Sequence, residues 1–402
     1  AGRNPKQDKL DSVVRWEDVV PAGAKKNGCD LQSERIVWRI EDGKAVRIGY
    51  RIYRVAWGET PRIPGVLPRC EYGVEIHVLL AHLVYLTGVS LDKACQLLRF
   101  FCELPLERSQ ANAMLNQLGE AWESEFDDIC EQLAMAAVVY TDETGWRVGR
   151  LNTSLWSFTS ELFSVMVYGC SKDRATLESI LPPEEFGGCL VSDDASVYRT
   201  GYRSQKCWAH LIRKAVKLVL LNPGNSTYQQ FLDGLLEIYN DAKRFAGDGR
   251  LGEAGQRHRE SGLVARLCDL CHPHWSATSP QLPEPSTESE TSFSNLIEEL
   301  MRLVAAEQLF EFVLRPEVAP TNNLSERQLR SSALARKANR TNKTDTGARR
   351  QTRIVSVLES LRRSLPNFTI KSVIAQVANA LHQAGGIFQT IGPTPKPHAS
   401  HA

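Results

Sequence analysis

The 402-residue chain carries 48 Lys and Arg against 47 Asp and Glu, a net charge of +1, so whole-chain charge points to no class of partner. Its length suffices for two or three compact units with a sizeable core. Ten cysteines are scattered through a chain too large to need a disulfide framework, no apolar run reaches the length of a membrane span, and the first residues do not resemble a signal peptide. Together these read as a reducing, cytoplasmic setting.

Residues 1–70 are predicted to hold a polar, loose stretch to about residue 30 and then a small β unit. I-V-W-R-I and A-V-R-I-G-Y-R-I-Y-R-V, between Glu34 and Ala56, alternate as two or three half-exposed strands, and a Pro/Gly-rich connection from Thr60 to Pro68 ends the unit. Residues 71–135 read as four helices: Val74–Leu86, Leu91–Phe101, Leu106–Leu118 and Trp122–Ala134. The second and third have the rhythm of a helix-turn-helix, a rhythm that any small helical bundle also gives.

From Ala136 the texture changes. A-A-V-V-Y-T-D-E-T-G-W reads as a buried strand ending in acids, and Leu155–Thr159 and Phe163–Tyr168 as two further strands. Arg174–Leu181 is a short helix, Cys189–Ser192 a strand that also ends in acids, Ser204–Trp208 a last strand, and Ala209–Leu221 a helix. That order matches the sheet of a ribonuclease-H-like α/β domain, in which three antiparallel strands are followed by parallel additions. Residues 136–221 are therefore its first part.

Residues 222–315 interrupt that domain as a mainly helical insertion. It has helices at Tyr228–Phe245, Gly262–Leu270 and Leu296–Val313, and a flexible Ser/Pro/Glu/Thr-rich loop at Thr278–Ser294. Residues 316–385 complete the domain with a helix from about Pro320 to Lys337, another at Ala348–Leu361 and a short one at Ile370–Gln383. Residues 386–402 read as a disordered tail.

The Pro320–Lys337 stretch opens on Thr321, Asn322 and Asn323 and carries one acid, Glu326, among Arg327, Arg330, Arg336 and Lys337. Its structural reading is a capping box between Asn323 and Glu326 with an ion pair from Glu326 to Arg330. Between Arg327 and Arg363 there are eleven Lys and Arg against two acids, Asp345 and Glu359. Such a run is either a solvated face or a surface that follows a phosphate backbone.

Three acids stand out by position: Asp142 at the end of the first strand of the sheet, Asp193 at the end of the fourth, and Glu326 on the late helix. Clustered carboxylates repel unless a cation neutralises them, and hard oxygen ligands suit Mg²⁺ or Mn²⁺. Two such ions would activate a water or a 3′-hydroxyl for in-line attack at phosphorus.

T-D-E-T-G-W-R-V, V-S-D-x-x-x-x-Y, K-C-W-A-H-L-x-R-K, T-N-N-L-S-E-R-x-L-R and T-x-x-G-A-R-R resemble motifs of bacterial DDE transposases of the insertion sequence 66 family, over about Tyr72 to Leu361. The resemblance implies that Asp142, Asp193 and Glu326 are the metal-binding catalytic triad of an enzyme that cuts transposon ends and joins them to target DNA. It also implies pairing of two DNA ends, hence a homo-oligomer in the DNA complex, and a nucleoid-associated place in the cytoplasm. Two departures stand out. No C-x-x-C pair lies upstream, where the family commonly carries a zinc-ribbon-like segment, so no ribbon is predicted. Asp194 stands where the family usually has Gly, and Asp193 is preferred to it because successive strand residues face opposite sides; Glu143 beside Asp142 is the same kind of decoy.

Cys207, His210, Cys268 and Cys271 have spacings that permit a zinc site built from both pieces, against a plain helix start and a reduced loop. Arg327, Arg330, Arg336, Lys337, Arg349 and Arg350 are the candidate DNA contacts. Trp146 is either a base-stacking platform or, the heavier reading, a core residue. A ribonuclease-H-like nuclease without strand transfer and a non-catalytic DNA-binding descendant are the alternatives to a transposase.

Overall fold

The computed structural model describes residues 6–277, 285–383 and 386–388. A short helix α1 (Lys6–Asp11) leads into β1 (Val13–Val19), which lies parallel to β3 (Lys44–Arg54); β3 in turn pairs antiparallel with β2 (Asp30–Glu41). The β2–β3 hairpin turns at Asp42–Gly43, both with positive φ (48° and 80°), the conformation for which Asp-Gly is selected because it matches strand twist. Alternate residues Val37, Ile48, Tyr50 and Ile52 form a small core with Val19, Ile63 and Val66. The expectation of a loose N-terminal stretch is corrected by β1. Its charges hide it in the sequence, but they suit an edge strand, and Arg15 fastens it to Glu41 through two 2.6 Å hydrogen bonds.

Helices α2 (Val74–Ala81), α3 (Leu91–Cys102), α4 (Arg108–Ala121) and α5 (Glu123–Ala134) fall where the apolar periodicity places them, with a π-helical turn at His82–Leu86 prolonging α2. Ser90 caps α3 by accepting from the Lys93 N–H, and Glu107 with Gln110 forms a capping box on α4.

The second sheet runs β4 (Val138–Val148), β5 (Leu151–Thr159), β6 (Ser164–Cys170), then helix α6 (Arg174–Ile180), β7 (Cys189–Ser192) and β8 (Arg203–Lys206). Its spatial order is β6-β5-β4-β7-β8. The first three strands are antiparallel, and β7 and β8 are added parallel to β4. The fold is thus mixed α/β with two mixed sheets.

Strand alternation decides what covers each face. Val139, Leu190, Trp156, Phe158 and Val165 pack toward α2–α5. Val138, Tyr140, Cys189 and Val191 pack toward α7 (Trp208–Leu221) and the helices α8 (Ser226–Ala246), α9 (Glu253–Cys271), α10 (Glu288–Ala305) and α11 (Glu311–Leu314). These helices are therefore one layer of the sheet's packing. Three sequence-based boundaries shift. Helix α9 begins well before Gly262, through a polar stretch with no apolar stripe. Of the expected Thr278–Ser294 loop, residues 278–284 lie outside the described residues, and α10 already starts at Glu288 behind a Thr287–Glu290 capping box. The expected Leu296–Val313 helix breaks at Ala305, where Glu307 turns the chain with φ 57° before α11.

The chain closes with α12 (Asn323–Lys337), α13 (Asp345–Ser364) and α14 (Ile370–Gln383). Helix α13 seals the β6 edge: the hydroxyls of Thr352, Ser356 and Ser360 accept the N–H groups of Tyr168, Met166 and Ser164, each at 3.0 Å. Four helical residues rise about 6 Å and two strand residues about 6.6 Å, so a Ser/Thr every fourth residue keeps step with every second strand N–H. The disordered-tail expectation is corrected at Ile387 and Phe388, which are buried; Ile387 N–H donates to Glu125 at 2.6 Å and Phe388 stacks edge-on against Phe163. Residues 389–402 lie outside the described residues. Among the described residues no helix is long and apolar enough to cross a membrane.

Candidate active site

Asp142 does not end its strand, as the acids after Val139-Tyr140 suggest. β4 continues to Val148 against β5, with Asp142 opposite Ser157. What ends is the pairing with β7, which covers only Val138–Tyr140. Past Tyr140 the β7 side of the strand is open, and there Asp142 meets Asp193, the first residue after β7. Asp142 accepts one hydrogen bond, from the Glu143 N–H at 2.9 Å. Burial, then the charges of Glu143 and Asp193, and after them that of Glu326, push its pKa up to about 7.

The flanking acids sort by their partners. Glu143 takes the Tyr198 hydroxyl and the Lys172 ammonium, and its side chain is 6% exposed. Asp194 takes Arg302 from α10 and Arg199 at 3.5 Å. Asp193, by contrast, accepts only a backbone bond among the described residues, from Ala195 N–H at 3.0 Å. The turn carrying Asp193 is held from below by Lys206 of β8. Its fully buried ammonium donates to Ser192 Oγ at 2.9 Å and to the Tyr198 carbonyl at 3.3 Å, and burial draws its pKa down to about 8.

Glu326 comes to this corner because the start of α12 is tied to the sheet. Asn322, not Asn323, is the N-cap residue. Its side chain does not cap the helix; instead it is wholly buried and donates from Nδ2 to the Thr141 carbonyl at 2.7 Å, one residue before Asp142. Its backbone N–H donates to Cys207 Sγ at 3.2 Å, and Ser325 Oγ reaches the Ser157 carbonyl at 3.3 Å. The expected capping box is therefore absent, and no Glu326–Arg330 pair forms among the described residues. Glu326 Oε1 faces His210 Nε2 at 3.8 Å and Arg213 at 3.9 Å, has no hydrogen-bond partner, and is buried. None of Asp142, Asp193 and Glu326 accepts a hydrogen bond from a side chain among the described residues. A groove of about 560 Å³, lined by Asp193, Asp194, His210, Lys214 and Arg302 among others, opens on the Asp193 side of this corner.

Of the four candidate zinc ligands, Cys207 and His210 come together with Glu326, with one ligand atom from each of the three within 4.8 Å of the others. Cys268 and Cys271 are not part of that group; Cys271 is buried in the apolar core of α8–α11, where burial pushes its thiol up to about 12.

Trp146 is corrected to the core. It is 2% exposed, its indole N–H donates to Asn342 at 2.7 Å and its ring lies edge-on to Tyr168, which leaves no face for a base. Arg350 is likewise committed, to Tyr85, Asn112 and Asn116 at 2.7–2.8 Å, joining α13 to α4. Arg336 reaches Thr144 Oγ1 at 3.1 Å and the Gly145 carbonyl. Arg327, Arg330, Lys337 and Arg349 remain exposed.

The roles of Asn322, Lys206 and Arg302 are absent from the sequence reading. T-N-N gave a signal, but one indistinguishable from an ordinary helix start. A family model described as "Transposase IS66 family" matches residues 69–350. No curated protein matches the chain.

Proposed function

The chain belongs to the IS66 family of transposases, whose members cut and join DNA, and on that premise we propose that it works by a DDE mechanism in which Asp142, Asp193 and Glu326 bind the catalytic divalent metal. One observation carries this reading. Among the described residues these three carboxylates accept no side-chain hydrogen bond, while the two acids beside them, Glu143 and Asp194, are each held by two side-chain donors. The crowding that lifts Asp142 to about 7 fits a hard cation, Mg²⁺ or Mn²⁺, as the missing counter-charge. When bound, such an ion supplies Lewis-acid polarisation of a phosphate and lowers the pKa of an attacking water or 3′-hydroxyl.

The protein's own groups frame that chemistry. Lys172 and Tyr198 on Glu143, and Arg302 and Arg199 on Asp194, confine the free negative charge to the triad. Lys206 and Asn322 fix the two segments that bring Asp193 and Glu326 to Asp142. In this reading residues 136–221 and 316–385 form one ribonuclease-H-like domain, split by the insertion at 222–315, and the strand order β6-β5-β4-β7-β8 supports it. The α2–α5 region, residues 71–135, is proposed to contact DNA, as are Arg327, Arg330, Lys337 and Arg349, within a homo-oligomer that pairs two ends.

Arg330 and Lys337 stand four and eleven residues after Glu326, so helical periodicity sets all three along one face of α12, a track for phosphates leading to the carboxylates. Arg330→Ala is therefore expected to weaken binding to all DNA sequences alike and to reduce the slope of log K against log salt by about 0.9, measured by fluorescence anisotropy across a salt series. An unchanged slope removes Arg330 from the phosphate track.

The reading is tested with the native chain, labelled element-end DNA and Mg²⁺ or Mn²⁺, with and without chelator. Metal-dependent cutting with joined products supports a transposase. Cutting without joining shows a nuclease, and metal-independent binding without cutting shows a non-catalytic descendant.

A further inference from the structure

We propose that Cys207, His210 and Glu326 form a second metal site, for a soft divalent ion of the zinc class, in which Glu326 bridges to the carboxylate cluster. Thiolate and imidazole select such ions over Mg²⁺, whereas Asp142 and Asp193 offer only oxygen. The two sites therefore differ in chemistry while meeting at one side chain.

Three features beyond proximity point to a ligand. Glu326 Oε1 is buried without a hydrogen-bond partner and faces His210 Nε2 at 3.8 Å, an expensive state for a carboxylate oxygen unless something coordinates it. Cys207 sits at the N-cap of α7, where burial holds its thiol above the ordinary value, and the Asn322 N–H already donates to its sulfur at 3.2 Å, the kind of outer contact that supports a metal-bound thiolate. The C-x-x-H spacing puts the imidazole one turn further along the same helix, and the His210 N–H to Cys207 carbonyl bond at 3.1 Å fixes that turn. Without an ion the Glu326–His210 approach of 3.8 Å is a loose pair.

The set supplies three protein ligands, which leaves a tetrahedral ion one open position. Glu326 has two oxygens, so one can serve each site, and an ion at the soft site would fix the carboxylate's orientation toward Asp142 and Asp193. That last consequence rests on the catalytic reading; the binding site itself does not.

Co²⁺ titration of the full-length protein tests the site, because a thiolate ligand gives a near-ultraviolet sulfur-to-cobalt charge-transfer band. The expected result is a band that saturates at one equivalent in the presence of excess Mg²⁺. Cys207→Ser should remove it, and the half-exposed His210→Gln, chosen because it should not disturb folding, should weaken binding by at least about tenfold. Asp142→Asn and Cys271→Ser should leave it intact, the first separating this site from the catalytic one. No band in the native protein, a band that survives Cys207→Ser, or one lost in Cys271→Ser overturns the proposal. Co²⁺ affinity unchanged in Glu326→Gln overturns the bridge.

Discussion

Replacing Asp142 with Asn is expected to abolish cutting and joining of DNA while making the metal-free protein more stable. The loss of activity should reach about a thousandfold or more, since a neutral amide cannot hold the cation that the chemistry is proposed to need. The gain in stability follows from the same charge. The folded-state pKa of Asp142 is about 7 against an ordinary 3.8, so the folded protein binds the extra proton and stability is lost as the pH rises through 7. At 1.36 kcal/mol per unit the full gap corresponds to roughly 4 kcal/mol at alkaline pH, an upper bound that hydration of the half-open corner reduces to about 2. Thermal melts in chelator should place the variant several degrees above the native protein at pH 8, with the difference shrinking by pH 5. Added Mg²⁺ should raise the native melting temperature at pH 8 and leave the variant's nearly unchanged. Coincident melts at pH 8 would mean that Asp142 bears no unbalanced charge, and the case for a metal there would fail.

The second large effect lies at Asn322, which touches no substrate in the proposed reaction. Asn322→Ala removes the donor to the Thr141 carbonyl, leaves that oxygen buried without a partner and opens a small void, a loss of about 2–3 kcal/mol. Glu326 rides on the helix that this bond anchors. Displacement by about an ångström is enough to cost turnover a hundredfold, with DNA affinity little changed because the exposed arginines of α12 remain. Asn322→Asp should be worse than Ala: it is isosteric, but it sets a carboxylate oxygen against the carbonyl and adds charge beside Asp142. Cleavage rate, anisotropy and melting temperature measured together separate this outcome from simple unfolding. A stable Ala variant with native turnover would show that α12 holds its place without Asn322.

The strands and helices were readable where burial alone decides them. Val138–Tyr140 and Cys189–Ser192 are short apolar runs, and α2–α5 carry a helical stripe. Misreadings arose where partners far along the chain decide. T-D-E-T-G-W-R looks like the end of a strand, yet backbone bonds to β5 carry it to Val148 regardless of side chain. A Trp beside acids keeps a base platform open next to the heavier core reading until Asn342, nearly two hundred positions later, takes its N–H. Arg350 registers as positive charge, whereas Asn112 and Asn116, which hold it, belong to another helix. The candidate triad was legible because its spacing follows the topology of the sheet. The pairing that distinguishes Asp193 from Asp194 was not, since Arg302 enters from α10, more than a hundred residues on.

The hydroxyl ladder on α13 also imposes an order in time. The strand edge it covers is complete by Cys170, but its cover lies 184 to 196 residues further on. At a synthesis rate of about 5–20 residues per second, the nascent chain carries that row of unmet N–H groups for roughly 10–40 s before the ladder emerges. A ribosome stalled, or a chain cut, within α8–α11 would leave the sheet with an open side that another copy can pair with. Chaperone dependence during synthesis, and aggregation of prematurely terminated products, are thus built into the distance between an edge and the serines that close it.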